Sequence, residues 1–224
     1  MRESGILMHI TSLPAPYGIG TMGKDAYAFV DFLVRAGQRY WQILPLTPTG
    51  YGDSPYQSLG ACAGNHYLID LDRLADEGLL KKEEIQNIPW GSNPARVDFG
   101  AMYAHRMNVL RQAFQRFTPD GAYETFVEQN RNWLEDYALF TALKDTLGGK
   151  PWLDWPEALR LRKADALAEK RRELSDEIRL QYFVQYEFDR QWKALRSYAN
   201  AKGVRIIGDV PIYVPLDSAD VWAN

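Results

Sequence analysis

Two short loops hold the residues whose types and spacing could do chemistry. Thr49-Gly50-Tyr51-Gly52-Asp53-Ser54-Pro55-Tyr56-Gln57-Ser58 sets two tyrosines, an aspartate and a serine on a backbone punctuated by glycine and proline. A tyrosine face stacks on a pyranose ring while Asp53 and Ser54 meet its hydroxyls. A rigid turn with its rings packed inward fits the same residues equally well. Gly208-Asp209-Val210-Pro211-Ile212-Tyr213-Val214 is the second loop. An aspartate just past a buried strand is costly to desolvate unless a cation or hydroxyl pairs with it. The competing role for Asp209 is a cap on a helix or turn.

Other motifs fail on spacing. Gly18-Ile19-Gly20-Thr21-Met22-Gly23 matches GxGxxG ahead of a helix. A dinucleotide fingerprint needs its first glycine on the end of strand one and an acid at the end of strand two. Here seven residues with two prolines intervene, and the second strand ends Leu44-Pro45-Leu46-Thr47. The glycines read instead as a tight loop needing positive φ. His9, His66 and His105 are too scattered for metal ligation, so each receives a structural role, and no metal or cofactor is expected. Gly52-Asp53-Ser54-Pro55-Tyr56 is no nucleophile elbow, and no phosphate-cradling GxxxxGK[ST] is present. Cys62, the single cysteine, excludes a disulfide framework and reads as one buried thiol in a reducing compartment.

These loops must be held by regular elements. Gly5 to Ile10 suits a strand buried on both faces. From Lys24, apolar residues at Ala26, Phe29, Val30, Leu33 and Val34 have helical spacing, and Gly37 is a helix stop. Tyr40 to Leu44 reads as a second strand, closing a parallel, right-handed β-α-β unit. Helical stripes follow: Phe99, Tyr103, Met107, Leu110, Phe114 and Phe117; then Tyr123 through Phe126, Trp133 and Tyr137; then Ile178 through Tyr182, Phe188 and Leu195 to Ala199, stopped by Gly203. Val204 to Gly208 returns to strand. The long stretch between strands two and three is too long to be structureless and reads as a helical subdomain. The alternation fits a (β/α)8 barrel or a doubly wound sheet, each incomplete at three strands.

Composition sets outer limits. Among 224 residues, 46% are hydrophobic and 25% charged, the balance of a globular protein. A net charge of −3 with no basic stripe argues against a nucleic-acid partner. No apolar run reaches membrane-spanning length and no secretory leader is visible, so a cytoplasmic location is expected and no membrane partner. Aromatics at 13% permit carbohydrate binding without selecting it.

Several long segments in order carry a resemblance. Ser4 to Pro14 (SGILMHITSLP) with Tyr17-Gly18-Ile19-Gly20, Trp41 to Leu46 (WQILPL) with Pro48 to Ser58, and Gly64 to Asp70 (GNHYLID) are similar to the amylomaltases, or disproportionating 4-α-glucanotransferases, of glycoside hydrolase family 77. Gln185 to Phe188, Gln191-Trp192, Gly208 to Val214 and Asp217 to Trp222 continue the match. The resemblance implies an α/β fold: the N-terminal portion, about three strands, of a (β/α)8 TIM barrel with a large, mainly helical inserted subdomain. Residues 1–46 would hold the first strands and helix, 47–172 the substrate loop and inserted subdomain, and 173–224 the return helix, third strand and start of the next insertion.

By the same resemblance, the activity is transfer of α-1,4-glucan segments (maltodextrins) to an acceptor glucan or glucose with retention of configuration. Tyr56 would stack on the donor-side sugar, with Ser54 and Asp53 as neighbouring contacts. Tyr51 would belong to a more distant glucan surface, and Trp222 would lie at the entry to a mobile active-site loop. Asp209 would orient substrate and machinery and share one sugar-sized hollow with Tyr56. The nucleophile Asp, the acid/base Glu and a third Asp are expected on later strands, so no catalytic residue is assigned here and the chain alone is expected to be inactive. A non-catalytic glucan-binding module and, more remotely, a dinucleotide-dependent oxidoreductase are the alternatives. An uncovered third strand would favour self-association.

Overall fold

A computed structural model describes residues 2–50, 52–93 and 95–224; the Tyr51 assignment therefore lies outside the described residues. Three strands, β1 (Gly5–Leu7), β2 (Tyr40–Gln42) and β3 (Arg205–Ile207), form a parallel sheet in the order β1-β2-β3. Gly5, Tyr40 and Arg205 lie in one row and Leu7, Gln42 and Ile207 in another. Helix α1 (Lys24–Arg35) joins β1 to β2. Ala26, Val30 and Leu33 form its buried stripe. Its end is a Schellman motif: Gly37 N donates to Val34 O and Gln38 N to Leu33 O, with Gly37 at φ 69°. Only glycine holds that conformation without strain.

After β2 come α2 (Leu71–Asp76), α3 (Lys82–Gln86), α4 (Phe99–Arg116), α5 (Gly121–Gln129), α6 (Arg131–Thr146), α7 (Glu157–Arg160), α8 (Ala164–Glu173) and α9 (Ser175–Ala201), with α10 (Ala219–Ala223) after β3. Aspartates cap several of them: Asp70, Asp98 and Asp120 accept from backbone N–H groups of α2, α4 and α5. The end of α9 repeats the Schellman geometry, with Gly203 N to Asn200 O and Val204 N to Ala199 O.

The chain divides into two compact units. The first comprises residues 1–46, 65–118 and 187–210 and holds the sheet; the second comprises 47–64, 119–186 and 211–224. Helix α9 contributes its first part to the second unit and its remainder to the first. In the first unit Trp41 is fully buried beside Phe29 of α1, ring centroids 5.2 Å apart, and its indole N–H donates to Met8 O at 2.7 Å. The second unit is built on Phe140, Trp155 and Trp222, whose rings lie 5.3–5.8 Å apart, with Tyr137, Leu143, Leu159 and Leu167 packed around them.

Four sequence expectations need correcting. The strands are short and open on one face: Leu7 is 55% and Ile207 44% exposed, not buried on both sides, because helical cover lies on the Trp41 side. The buried stripe of α4 is Met102, Arg106, Val109, Leu110 and Ala113, out of phase with the expected one, and Tyr103 is exposed. The stripe from Tyr123 to Tyr137 is two helices, broken at Asn130. Cys62 is exposed rather than buried and lies outside any helix or strand.

Candidate functional site

The 49–58 loop is a self-supporting turn. Thr49 and Ser58 form an antiparallel bridge, and Gly50 N donates to Gln57 O at 2.7 Å. Inside that closure Asp53 N reaches Gly50 O at 3.2 Å and Gln57 N reaches Ser54 O at 3.1 Å. Gly52 at φ 82° and Asp53 at φ 58° make the left-handed corner; aspartate is among the few side chains that accept it. Ser54 Oγ accepts from Tyr56 N at 3.3 Å, and Thr47 Oγ1 donates to Pro55 O at 3.2 Å. Much of the polar backbone is thus satisfied locally. Tyr56 is 45% exposed, and Asp53 and Ser54 are half-buried beside it. A Ser54 hydroxyl that accepts still has its proton to donate.

The Gly208–Val214 segment is different. Asp209 is half-buried and its Oδ1 accepts from its own neighbour, Val210 N, at 2.8 Å. The buried-strand desolvation argument does not apply to it, since β3 is open on one face. Beyond it Ile212 and Tyr213 are 89% and 84% exposed. The chain is caught again at Asp217, whose carboxylate takes Lys144 Nζ at 2.6 Å and Trp152 N at 3.1 Å. Tyr56 and Asp209 belong to separate compact units, each with its own geometry.

Trp222 does not present a free platform. Its ring is 3% exposed, its N–H donates to Leu159 O at 3.0 Å, and the Arg162 guanidinium covers it at 4.3 Å. Its indole N–H and its ring contacts with Phe140, Trp155 and Arg162 belong to the core of the second unit.

The glycine-rich loop is explained by packing. Gly18 takes φ 79°, and a side chain at Gly20 would strike Ile10 O. Gly23 lies against the Asp70 carboxylate, which also accepts from Thr21 Oγ1 at 2.7 Å. A negative charge already occupies the start of α1, where a dinucleotide would need its pyrophosphate. The same loop, with Trp90, Asn93, Arg96 and Phe99, lines a cavity of about 590 Å³ that the loop sequence alone did not signal. Nor did it signal His9, which is 8% exposed with Nδ1 lacking a partner. Burial lowers its pKa to about 4. Among the described residues no cluster of His, Cys, Asp and Glu could hold a metal ion, and no helix is long and apolar enough to cross a membrane.

Residues 8–224 match the family profile described as 4-alpha-glucanotransferase. The chain is 51% identical over 229 residues to a 4-alpha-glucanotransferase of Thermus thermophilus and 48% identical over 219 residues to one of Clostridium butyricum. These matches cover 100% and 97% of the chain but 45% of each relative, so the chain spans somewhat under half their length. An amylomaltase of Streptococcus agalactiae, solved in complex with acarbose, superposes with a TM-score of 0.95 at 48% identity, over 99% of this chain and 46% of that one. An amylomaltase of Corynebacterium glutamicum, 18% identical, shares the fold with a TM-score of 0.75.

Proposed function

We propose, since this chain belongs to the 4-alpha-glucanotransferase family, glycoside hydrolase family 77, that it forms the substrate-positioning share of an enzyme moving α-1,4-glucan segments to an acceptor glucan or glucose. The three-stranded parallel sheet is then the start of a (β/α)8 barrel. The stretch between β2 and β3 is its inserted helical subdomain, with 1–46, 47–172 and 173–224 as its working divisions. Retention of configuration requires two carboxyl groups about 5–5.5 Å apart, one as nucleophile and one as acid then base. We assign neither to this chain. Transfer in place of hydrolysis requires that an acceptor sugar reach the glycosyl-enzyme before water does, which an enclosed, sugar-shaped acceptor site favours.

Within that scheme Tyr56 stacks on a sugar ring, Asp53 and Ser54 hydrogen-bond its hydroxyls, and Asp209 orients substrate near the reacting bond. Tyr51 extends the glucan surface. Trp222 is left out of this set and holds the fold. The observation that carries the reading is the 49–58 turn, which satisfies its own backbone and leaves the Tyr56 ring 45% exposed. The acarbose complex of the Streptococcus amylomaltase supports a saccharide ligand.

Calorimetric titration of the chain with maltoheptaose tests this. Saturable binding is expected, and Tyr56→Ala weakens it about tenfold, since a stacked aromatic contributes roughly 1 kcal/mol or more. Incubation with maltotriose should release no glucose; vigorous disproportionation would refute the division of labour proposed here.

A further inference from the structure

We propose, building on the glucan reading above, that His9 is a further sugar-contacting residue, donating a hydrogen bond from Nε2 to a saccharide oxygen at the C-terminal end of the sheet. Its position comes first. His9 lies two residues past the end of β1, and Asp209 two residues past the end of β3, in one parallel sheet within one compact unit. Both therefore sit at the end where open and closed parallel α/β sheets place their ligands. β2 lies between their strands in the sheet order β1-β2-β3.

The backbone around His9 is clamped. Met8 N continues the ladder to Gln42 O at 3.0 Å, and Met8 O takes the Trp41 indole N–H at 2.7 Å. On the other side Ser12 N closes a helical turn onto His9 O at 3.0 Å, and Gly20 N returns to Thr11 O at 3.1 Å. A ring on so fixed a base loses little freedom when it meets a ligand.

The tautomer follows from the burial. Nδ1 is buried with no acceptor or donor against it. An orphaned N–H is rarer and costlier than an under-used lone pair. The proton therefore sits on Nε2, which makes the imidazole a donor there. With its pKa lowered to about 4 by burial, the ring is uncharged at neutral pH. A neutral donor suits a hydroxyl, ring or glycosidic oxygen and gives no preference for an anion.

The test uses the whole chain, 15N-labelled, with maltoheptaose as probe. Ring-nitrogen shifts at pH 7 should show Nε2 protonated and Nδ1 bare, and Nε2 should move as the sugar saturates. His9→Ala should bind about tenfold more weakly, whereas His9→Gln, which offers an amide N–H at a similar reach, should stay within about threefold. Ring shifts that stay still while maltoheptaose binds, or a folded His9→Ala that binds as well as the unaltered chain, would overturn the assignment and leave the glucan reading standing. Absence of any binding heat for the unaltered chain overturns the glucan reading and this assignment with it. If His9→Ala does not fold, the ring shifts and His9→Gln decide the matter.

Discussion

The two compact units bury different chemistry. In the first, His9, Asp70, Arg106 and Glu187 are all under 9% exposed. In the second the buried hydrogen-bonding side chains are neutral, Thr47, Ser58, Thr141, Gln181, Gln185, Ser218 and the tyrosines and tryptophans of its core. The first unit therefore depends on matched partners. Glu187 is held by Arg190 at 2.7 Å, and Arg190 also reaches Glu77 at 2.9 Å. Burial nonetheless raises the Glu187 pKa, with Arg190 opposing it. The core of the second unit depends on ring contacts among Phe140, Trp155 and Trp222. One polypeptide thus carries a sheet unit with buried ionisable groups and a second unit with an aromatic core.

Trp222→Ala should produce the largest effect. It removes the ring that touches both Phe140 and Trp155, the bond to Leu159 O and the surface under Arg162. Such a deletion costs about 3–5 kcal/mol, and urea unfolding followed by tryptophan emission would read it. The loss should be the same at pH 7 and pH 5; a strong pH dependence would break the contrast.

Acid should act on the first unit instead. The folded pKa of His9 is about 4 and that of His66 about 3, both lowered first by burial, against an ordinary value of 6.5. The unfolded chain takes up protons first, so stability is whole above pH 6.5, declines as pH falls toward 4 for His9 and toward 3 for His66, and levels off below those values. For His9 the ceiling is about 3 kcal/mol, from 1.36 kcal/mol per unit. His9→Gln should flatten that slope between pH 6.5 and 4 in urea midpoints. Hydrogen exchange, corrected for intrinsic rates, should show residues 1–46 and 65–118 opening before residues 131–167.

Arg106→Met comes next, at about 2 kcal/mol. The guanidinium is fully buried and its Nη2 donates to Tyr67 O and Ile69 O, while Nε and Nη1 have no partner. Methionine orphans two carbonyls, costing about 1–3 kcal/mol each, but removes a charge that was itself costly to bury. A stabilised variant would mean the unpartnered nitrogens outweigh the carbonyl bonds.

Arg106 also shows where sequence reading stops. α1 and the stops at Gly37 and Gly203 were legible because helix phase and positive-φ glycines are local properties. The 49–58 turn was legible for the same reason. The phase of α4 was missed because its aromatic residues suggested one face while Met102, Arg106, Val109 and Ala113 fill another. Arginine on a helix normally marks solvent, yet its spacing from Met102 and Leu110 already fits the buried stripe. Trp222 was unreadable in kind: an indole in a motif is platform or core according to what Phe140, Trp155 and Leu159 do far away in sequence. His9 reads as structural from the sequence because nothing in the chain order tells that its Nδ1 is buried without a partner.

Tyr56→Ala should have the smallest effect on folding. The turn that carries it is closed by backbone bonds between Gly50 and Gln57 and between Ser54 and Gln57, which do not use the phenol ring. A half-exposed side chain on such a base contributes within about 0.5 kcal/mol to stability. The same substitution should weaken maltoheptaose binding about tenfold. Trp222→Ala is expected to cost several kcal/mol of stability through lost packing. A Tyr56→Ala chain with an unaltered urea midpoint and weakened sugar binding would separate the two aromatic residues by role. A Tyr56→Ala chain that unfolds like the Trp222 variant would show its ring to be structural, and the turn would no longer count as a sugar platform.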